Sequence, residues 1–522
     1  MNYLGFFQRL VKKGSSKNGS SPKAFSEKSG KDLVQKKKSS SSGDQDLLYF
    51  DFFYQISYMS AISTAGIARN RIFEYSAQLP GKAAPYFQEI QRLSEGLGYD
   101  YAEACRLEGE SVEDEMLRSL LLRLSDCLSS GESAAEFLGR EADVLGTSYA
   151  DGYERKLESL KQWTDAFSAL IISGVLVIII GVVSTMIWKT DMVFILSLVG
   201  LTIGITIAGA WLISLMSPKE VVTLPKPSSR EQQLTHIFQM ALLPAAVVVA
   251  LFLIMRGADT GWIMLVPAIL IFPVGYLSVL DDKKITSRDQ EIGAFLRSLG
   301  GVASAIGTSI TDAIGRLDLR SVPALSDGTM RLKVRLQTGI LSPLCWQRFV
   351  LETGSVIVNR SVGMFRDAMA LGAEAEDAGK RSSAYAVRLG LLRARRKLVS
   401  KPFGWLAFTM HGAVVLLLVF VTEVMTTFGA MIGKIETEIP GAAASSAVGG
   451  FFAFDFAGLQ LLNTLVVPVI LVLTAVNAVA PKMADGGHNS KILYNLSITM
   501  GLSGACLIMM PHLTAIIFGG VG

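Results

Sequence analysis

The chain has 522 residues, half of them hydrophobic, and its mean hydropathy of +0.41 excludes an ordinary soluble protein of this length. The net charge of +4 averages over opposed segments: residues 1–46 hold ten Lys/Arg and four Asp/Glu, 47–165 hold eleven and twenty, and 281–402 hold twenty and twelve. Such opposed charge favours docking between the two segments or onto a partner. Cys105, Cys127, Cys345 and Cys506 stand far apart with no CxxC pair, which argues against zinc and a disulfide scaffold and fits a reducing compartment.

In chain order, residues 1–46 come first. Tyr3, Leu4, Phe6 and Phe7 form no uninterrupted apolar core, so no cleavable signal peptide is expected. The Ser/Lys/Gly-rich stretch 14–43 has the composition of a disordered tail, basic enough to touch anionic lipid. Residues 47–165 follow as a helical domain. Pro80, Gly81 and Pro85 break an early helix. The stretch 111–128, SVEDEMLRSLLLRLSDCL, predicts a helix capped by Ser111 with Asp114 three residues on. Glu113 and Glu115 fall in its first turn, and Leu117, Leu120, Leu121, Leu124 and Leu128 make one apolar face.

Apolar runs near 20 residues, enough to cross the bilayer as helices, then occur at 166–188, 192–216, 236–255 and 261–280. Pro244, Pro267 and Pro273 predict kinks or a tight hairpin in the third and fourth. A second helical domain, 281–402, precedes three more runs at 403–428, 456–480 and 492–518. The fold class is therefore all-α: a polytopic membrane protein with about seven transmembrane helices and two helical-bundle domains. The expected domains are 1–46, 47–165, 166–280, 281–402 and 403–522.

Lys and Arg mark the cytoplasmic flanks of spans. With the N-terminus inside, the inner segments hold the basic tail, Lys219, Lys226, Arg230, the 281–402 domain, Lys482 and Lys491, while the outer ones hold only Lys189, Arg256 and Lys434. The loop at about 429–455, with Glu436, Glu438 and Asp455, is external. Both soluble domains are thus expected in the cytoplasm of a plasma-membrane protein, and Gly522 outside.

The chemistry of an enzyme is not visible. There is no GxxxxGK[ST], HExxH or GxSxG, and His236, His411, His488 and His512 have no ligand spacing. No cofactor and no nucleic-acid partner is expected. His411 and Glu423 are candidate intramembrane polar residues, with Asn463, Asn477 and His512 further polar positions. Interhelical hydrogen bonding is the plainer reading of these, and a substrate or proton path the sharper one. Gly200, Gly204 and Ala208 form a small-residue stripe for close helix packing, within the chain or between two copies in a homodimer. Arg388, Arg393, Arg395, Arg396 and Lys397, with Lys401, crowd the approach to the fifth span. They either hold its inner end at anionic lipid or dock on an acidic surface, of a partner or of the 47–165 domain.

The two soluble domains echo each other. SAISTAGI at 60–67 matches SAIGTSI at 304–310, and an offset of 244 pairs Leu48 with Ile292, Phe52 with Leu296 and Ile62 with Ile306. A second small-residue turn follows in each, SSGESAAEFL at 129–138 and SVGMFRDAM at 361–369. With these motifs and this layout, residues 47–520 resemble the type II secretion F-domain family, the membrane platforms of type IV pilus-like machines. Two F domains, extra spans and the length look most like the archaeal branch that serves the archaellum or adhesive pili. The resemblance implies a non-enzymatic platform whose partners are a cytosolic hexameric secretion ATPase and pilin or archaellin subunits. A secondary transporter or channel with regulatory domains is the rival class, disfavoured by sparse charge within the spans.

Overall fold

The computed structural model describes residues 42–187, 192–225, 229–307, 309–438 and 456–518. Among them the chain is helical throughout, apart from loops and one isolated antiparallel bridge between Thr223 and Ser355. The helices are α1 (Ser42–Ser63), α2 (Arg69–Ala77), α3 (Ala84–Gln91), α4 (Tyr101–Ser111), α5 (Glu115–Ser130), α6 (Ala134–Ile187), α7 (Met192–Met216) and α8 (Arg230–Met255). They continue as α9 (Thr260–Ile306), α10 (Ile310–Arg316), α11 (Pro323–Gln337), α12 (Ser342–Thr353), α13 (Val356–Ala370), α14 (Ala375–Glu438), α15 (Phe456–Asp485) and α16 (Lys491–Phe518). Seven of these, α6 to α9 and α14 to α16, are long and apolar enough to cross a membrane. The chain is a multi-pass membrane protein with about the span count its apolar runs predict.

The expected domain boundaries do not fall in linkers. Positions 165, 280 and 402 lie inside α6, α9 and α14, which are 54, 47 and 64 residues long. At 1.5 Å per residue these are rods of about 80, 70 and 95 Å, each shared between the extramembrane bundle and a span. The prolines do not end them: Pro244 is inside α8, Pro267 and Pro273 inside α9, and Pro402 inside α14. The hairpin between α8 and α9 turns instead at Gly257, whose φ of 68° suits glycine. At the front, α1 begins at Ser42, so the last residues of the expected 1–46 tail are helical, and residues 1–41 lie outside the described part. The expected external loop also shortens, because α14 runs to Glu438. Residues 439–455, Lys189 and Gly522 lie outside the described residues, as does the Asn463 side chain.

The internal echo is a repeat of helices, in a different register from the one the apolar matches gave. Helices α2, α4, α5 and α6 start at 69, 101, 115 and 134; α10, α12, α13 and α14 start at 310, 342, 356 and 375, each 241 residues later. Two left-handed glycines keep that spacing: Gly66 and Gly307 (φ 64° and 63°), and Gly131 and Gly372 (φ 78° and 93°). The offset of 244 is three residues long. A slip of nearly one helical turn returns apolar residues to the same face, so side-chain matches survive it. Turn glycines and helix starts do not. The second-half turn also moves: 361–369 lies within α13, held there by buried Val362, Phe365 and Ala368, and the chain turns at Gly372.

Local capping differs in one place. Asp114 is the N-cap of α5, its carboxylate accepting from the Leu117 amide at 3.1 Å, whereas Ser111 closes α4 and donates back to the Glu108 carbonyl. A carboxylate one residue before the helix is well placed for its free N–H groups, so it displaces the more distant serine. The apolar face is as the spacing predicts, with Leu117, Leu120, Leu121, Leu124 and Leu128 all buried.

Candidate functional site at the junction of bundle and spans

The first and second halves of the bundle meet along α1, α6, α13 and α14. On α13, Arg360 pairs with Asp51 of α1, and its guanidinium lies 4.4 Å from the Phe50 ring centre and 4.5 Å from that of Tyr54. Tyr385 of α14 packs on Phe53 and Tyr54 at ring separations of 5.1 and 5.7 Å. The other Asp51 oxygen accepts the Lys82 amide at 2.7 Å. Gly81, at φ 143°, leaves room for it, since a Cβ there would stand 2.7 Å from Asp51 Oδ2.

Below this interface, where α6, α9 and α14 leave the bundle, lies a buried charge network. Arg393 of α14 donates through Nε to Glu220 Oε2 at 2.8 Å, through Nη1 to Asp289 Oδ2 at 2.5 Å, and through Nη2 to the Val221 carbonyl at 3.0 Å. All three side chains are buried. Ser355 donates to the second Asp289 oxygen while capping α13. Tyr153 of α6 donates to Glu220 Oε1 at 3.0 Å. One turn further along α14, Arg396 binds the Pro218, Met483 and Ala484 carbonyls and Ser217 Oγ, and reaches Glu220 Oε1 at 3.3 Å. Burial works against the Glu220 carboxylate, but Arg393 and then Arg396 outweigh it and hold its pKa below the ordinary range. With a lowered folded-state pKa, its stabilising contribution is present above the usual carboxylate pKa and is lost only as pH falls through the lowered value.

A second cluster adjoins it. Lys397 donates to Asp282 at 2.5 Å and to Asp485 at 3.1 Å, and Lys491 bonds the same two carboxylates. The turn between α15 and α16 comes this close because Gly486 and Gly487 have φ of 72° and 74° and no side chains. A Cβ on Gly486 would lie 2.7 Å from Arg396 Cζ, and one on Gly487 2.2 Å from Asp282 Oδ1. The two clusters tie α6, the 217–224 loop, α9, the start of α13, α14 and the α15–α16 turn into one joint. The acids of the joint are matched to lysine and arginine. Among the described residues no three His, Cys, Asp or Glu side chains converge as metal ligands. The joint positions helices.

The basic cluster read from the sequence is divided by this geometry. Arg393 and Arg396 are enclosed within the chain, and Lys397 is half-buried against Asp282 and Asp485. Arg388 and Arg395, one heptad apart, reach α6 of the first half: Arg388 donates to the Asp143 carbonyl at 2.8 Å, and Arg395 pairs with Glu154 in the open. Among the described residues the Gly200, Gly204 and Ala208 stripe packs against nothing. All three residues are exposed, and nothing lies within 4 Å of where a Cβ on either glycine would be. Gly174 and Gly209 make the close approach between α6 and α7 instead, against Thr202 and Phe167. His411 is fully buried among the spans: Asn477 Nδ2 donates to Nδ1 at 3.1 Å, and Nε2 faces Ser503 Oγ at 2.8 Å and the Thr499 carbonyl at 3.1 Å. Thr474 Oγ1 joins Ser503 at 2.9 Å. Glu423 is half-buried, and its carbonyl, not its carboxylate, accepts from Thr426 and Thr427.

Sequence reasoning missed Glu220, Asp282, Asp289 and Asp485. The one available signal was position, since each lies within about ten residues of the end of an apolar run. An acid near a cytoplasmic span flank stands out against the basic bias there.

Residues 56–182 match the family model for type II secretion system protein F. The chain is 21% identical over 425 residues to flagella accessory protein J of Methanocaldococcus jannaschii, spanning 78% of this chain and 74% of the relative. It is also 21% identical over 449 residues to flagella accessory protein J of Methanococcus voltae, spanning 83% and 79%. No solved structure matches. The chain resembles the type II secretion F family in the form found in archaellum-related proteins.

Proposed function

We propose that the chain is a non-enzymatic plasma-membrane platform for assembly of an archaellum or type IV pilus-like filament. A cytosolic hexameric secretion ATPase pushes or turns the helical bundle, and the spans pass that displacement to pilin or archaellin subunits leaving the bilayer. The observation that carries this reading is that α6, α9 and α14 run unbroken from bundle to spans and are held together where they cross over, α14 to α9 by the buried Arg393–Asp289 pair and α6 to both arginines through the Tyr153–Glu220 hydrogen bond. A load on the bundle then moves three spans as a unit. The family match over 56–182 and the relatives named for flagella support the same reading, and the 241-residue repeat supports a second F-type domain in the later half. The buried, hydrogen-bonded His411 cluster favours a packing role over a transport path.

Co-purification of the full-length chain with the secretion ATPase tests it. Capture that depends on the bundle is expected, and no capture in membranes that make filaments would overturn the coupling. Arg388→Gln with Arg395→Gln sharpens the result. If these arginines serve the contact between halves, capture is unchanged, each exposed pair being worth about 0–1 kcal/mol. A salt-sensitive loss would assign them to the ATPase.

The orientation we propose has the N-terminus and both halves of the bundle in the cytoplasm and the C-terminus outside. Single cysteines at Leu97, Met330 and Ala258, with the native four replaced, report it to an impermeant thiol reagent in intact cells. Labelling is expected at Ala258 alone, and labelling at Leu97 or Met330 would reverse the topology. The same cysteine-free background with Gly204→Cys tests a homodimer built on the exposed small-residue stripe. A disulfide-linked dimer is expected on oxidation, and a monomer band alone would remove that interface.

A further inference from the structure

Between α9, α14 and α16, a groove of about 1210 Å³ runs from the bundle down into the spans. Its wall on α14 includes the helical stripe Lys397, Lys401, Trp405, Phe408 and Gly412, at intervals of three and four. Its wall on α16 repeats the sequence of chemistries in Lys491, Tyr494, Ile498 and Leu502. Both therefore pass from cation to aromatic to apolar surface with depth, the order of a membrane boundary from headgroup to hydrocarbon. The upper end is lined by five lysines and two aspartates. Lys397 and Lys491 are matched by Asp282 and Asp485, and Lys482 bonds the neutral Asn489 side chain. Lys283 and Lys401 are exposed and face the groove without an ion pair to any described residue. The lower end is wide where α14 carries glycine: a Cβ on Gly404 would meet nothing within 4 Å, and one on Gly412 only Leu502 at 3.8 Å.

We propose that this groove holds one anionic membrane phospholipid, its phosphate at Lys283 and Lys401 and an acyl chain laid over Trp405, Phe408 and Leu502. A surplus of three positive charges at the rim selects the anionic headgroup. The apolar floor, continuous with the bilayer, selects a lipid over a free anion. Seated there, the lipid packs between α9, α14 and α16 immediately beside the Asp282–Lys397–Asp485–Lys491 cluster, so the lipid composition of the membrane bears on the joint itself.

The test is native mass spectrometry of the full-length protein, titrated in detergent with phosphatidylglycerol, phosphatidylcholine or inorganic phosphate. One phosphatidylglycerol per chain is expected, in clear preference to phosphatidylcholine. Lys283→Gln with Lys401→Gln is expected to weaken phosphatidylglycerol about thirtyfold, as the loss of two lysines at an anionic headgroup implies. Lys401→Arg alone retains it. Gly412→Leu, which fills the floor and leaves every charge, is expected to weaken binding as well. Equal binding of the two lipids, or phosphatidylglycerol binding indifferent to the lysine variant, would overturn the site. Binding unaffected by Gly412→Leu and displaced by inorganic phosphate would reduce it to an anion contact. Thermal unfolding checks each variant. Should the lysine pair fail to fold, the Gly412→Leu and Lys401→Gln results decide. A photoreactive residue at Trp405, cross-linked in native membranes, is expected to carry a lipid adduct, and a peptide adduct would reassign the groove to a protein helix.

Discussion

Replacing Arg393 with Met is expected to cost about 3–5 kcal/mol of stability, because it leaves the two buried carboxylates Glu220 and Asp289 with one cation, Arg396, between them. Glu220 would keep Tyr153 and a longer contact to Arg396, and Asp289 only Ser355, and both carboxylate side chains are buried. The charge imbalance, more than the lost bonds, sets the size of the effect. A double variant, Asp289→Asn with Arg393→Met, removes one charge of each sign, leaves Glu220 with Arg396, and is expected to recover most of the loss, as buried ion pairs tend to do when replaced whole. Thermal unfolding in detergent, read by protease resistance of α14, measures both. A single variant as stable as wild type would show the joint to be hydrated, and a double variant no better than the single would assign the cost to side-chain shape instead of charge.

That joint was the part of the molecule least legible in the sequence, and the reason is separation. Arg393 meets partners 104 and 173 residues away, and Lys397 partners 88 and 115 away. Helical spacing predicts which residues share a face but not what the face meets. The basic cluster shows the consequence. Arg388 and Arg395 share a face as their seven-residue spacing requires, and Arg396, one residue on and about 100° round, is carried into the interior instead. The spans were legible because a run of about 20 apolar residues has few alternatives in water. The leucine face of α5 was legible for the same local reason. The repeat was visible through the short SAI motif and matched apolar positions, and apolar matches tolerate a one-turn slip. Its register became plain from Gly66, Gly131, Gly307 and Gly372, where positive φ fixes position absolutely.

The continuity of α14 is where structure and proposed function meet, and a hinge placed in it should separate assembly from folding. Leu391 and Leu398 are 60% and 74% exposed, on the outer side of the part of α14 that carries Arg393, Arg396 and Lys397. Changing both to Gly removes little packing but loosens the backbone, at about 1 kcal/mol each relative to Ala. Changing both to Ala removes the same side chains and keeps the helix stiff. If α14 transmits a load from the bundle, the glycine pair is expected to insert, fold and bind the ATPase normally while filament yield falls to background, and the alanine pair to assemble filaments as wild type does. Filament counts by electron microscopy, set beside protein level in the membrane and ATPase capture, distinguish the cases. Equal loss in both variants would mean that the leucines themselves contact a partner. Normal filaments from the glycine pair would mean that the load does not travel along α14, leaving α6 and α9, clamped through Tyr153 and Asp289, as the remaining rods.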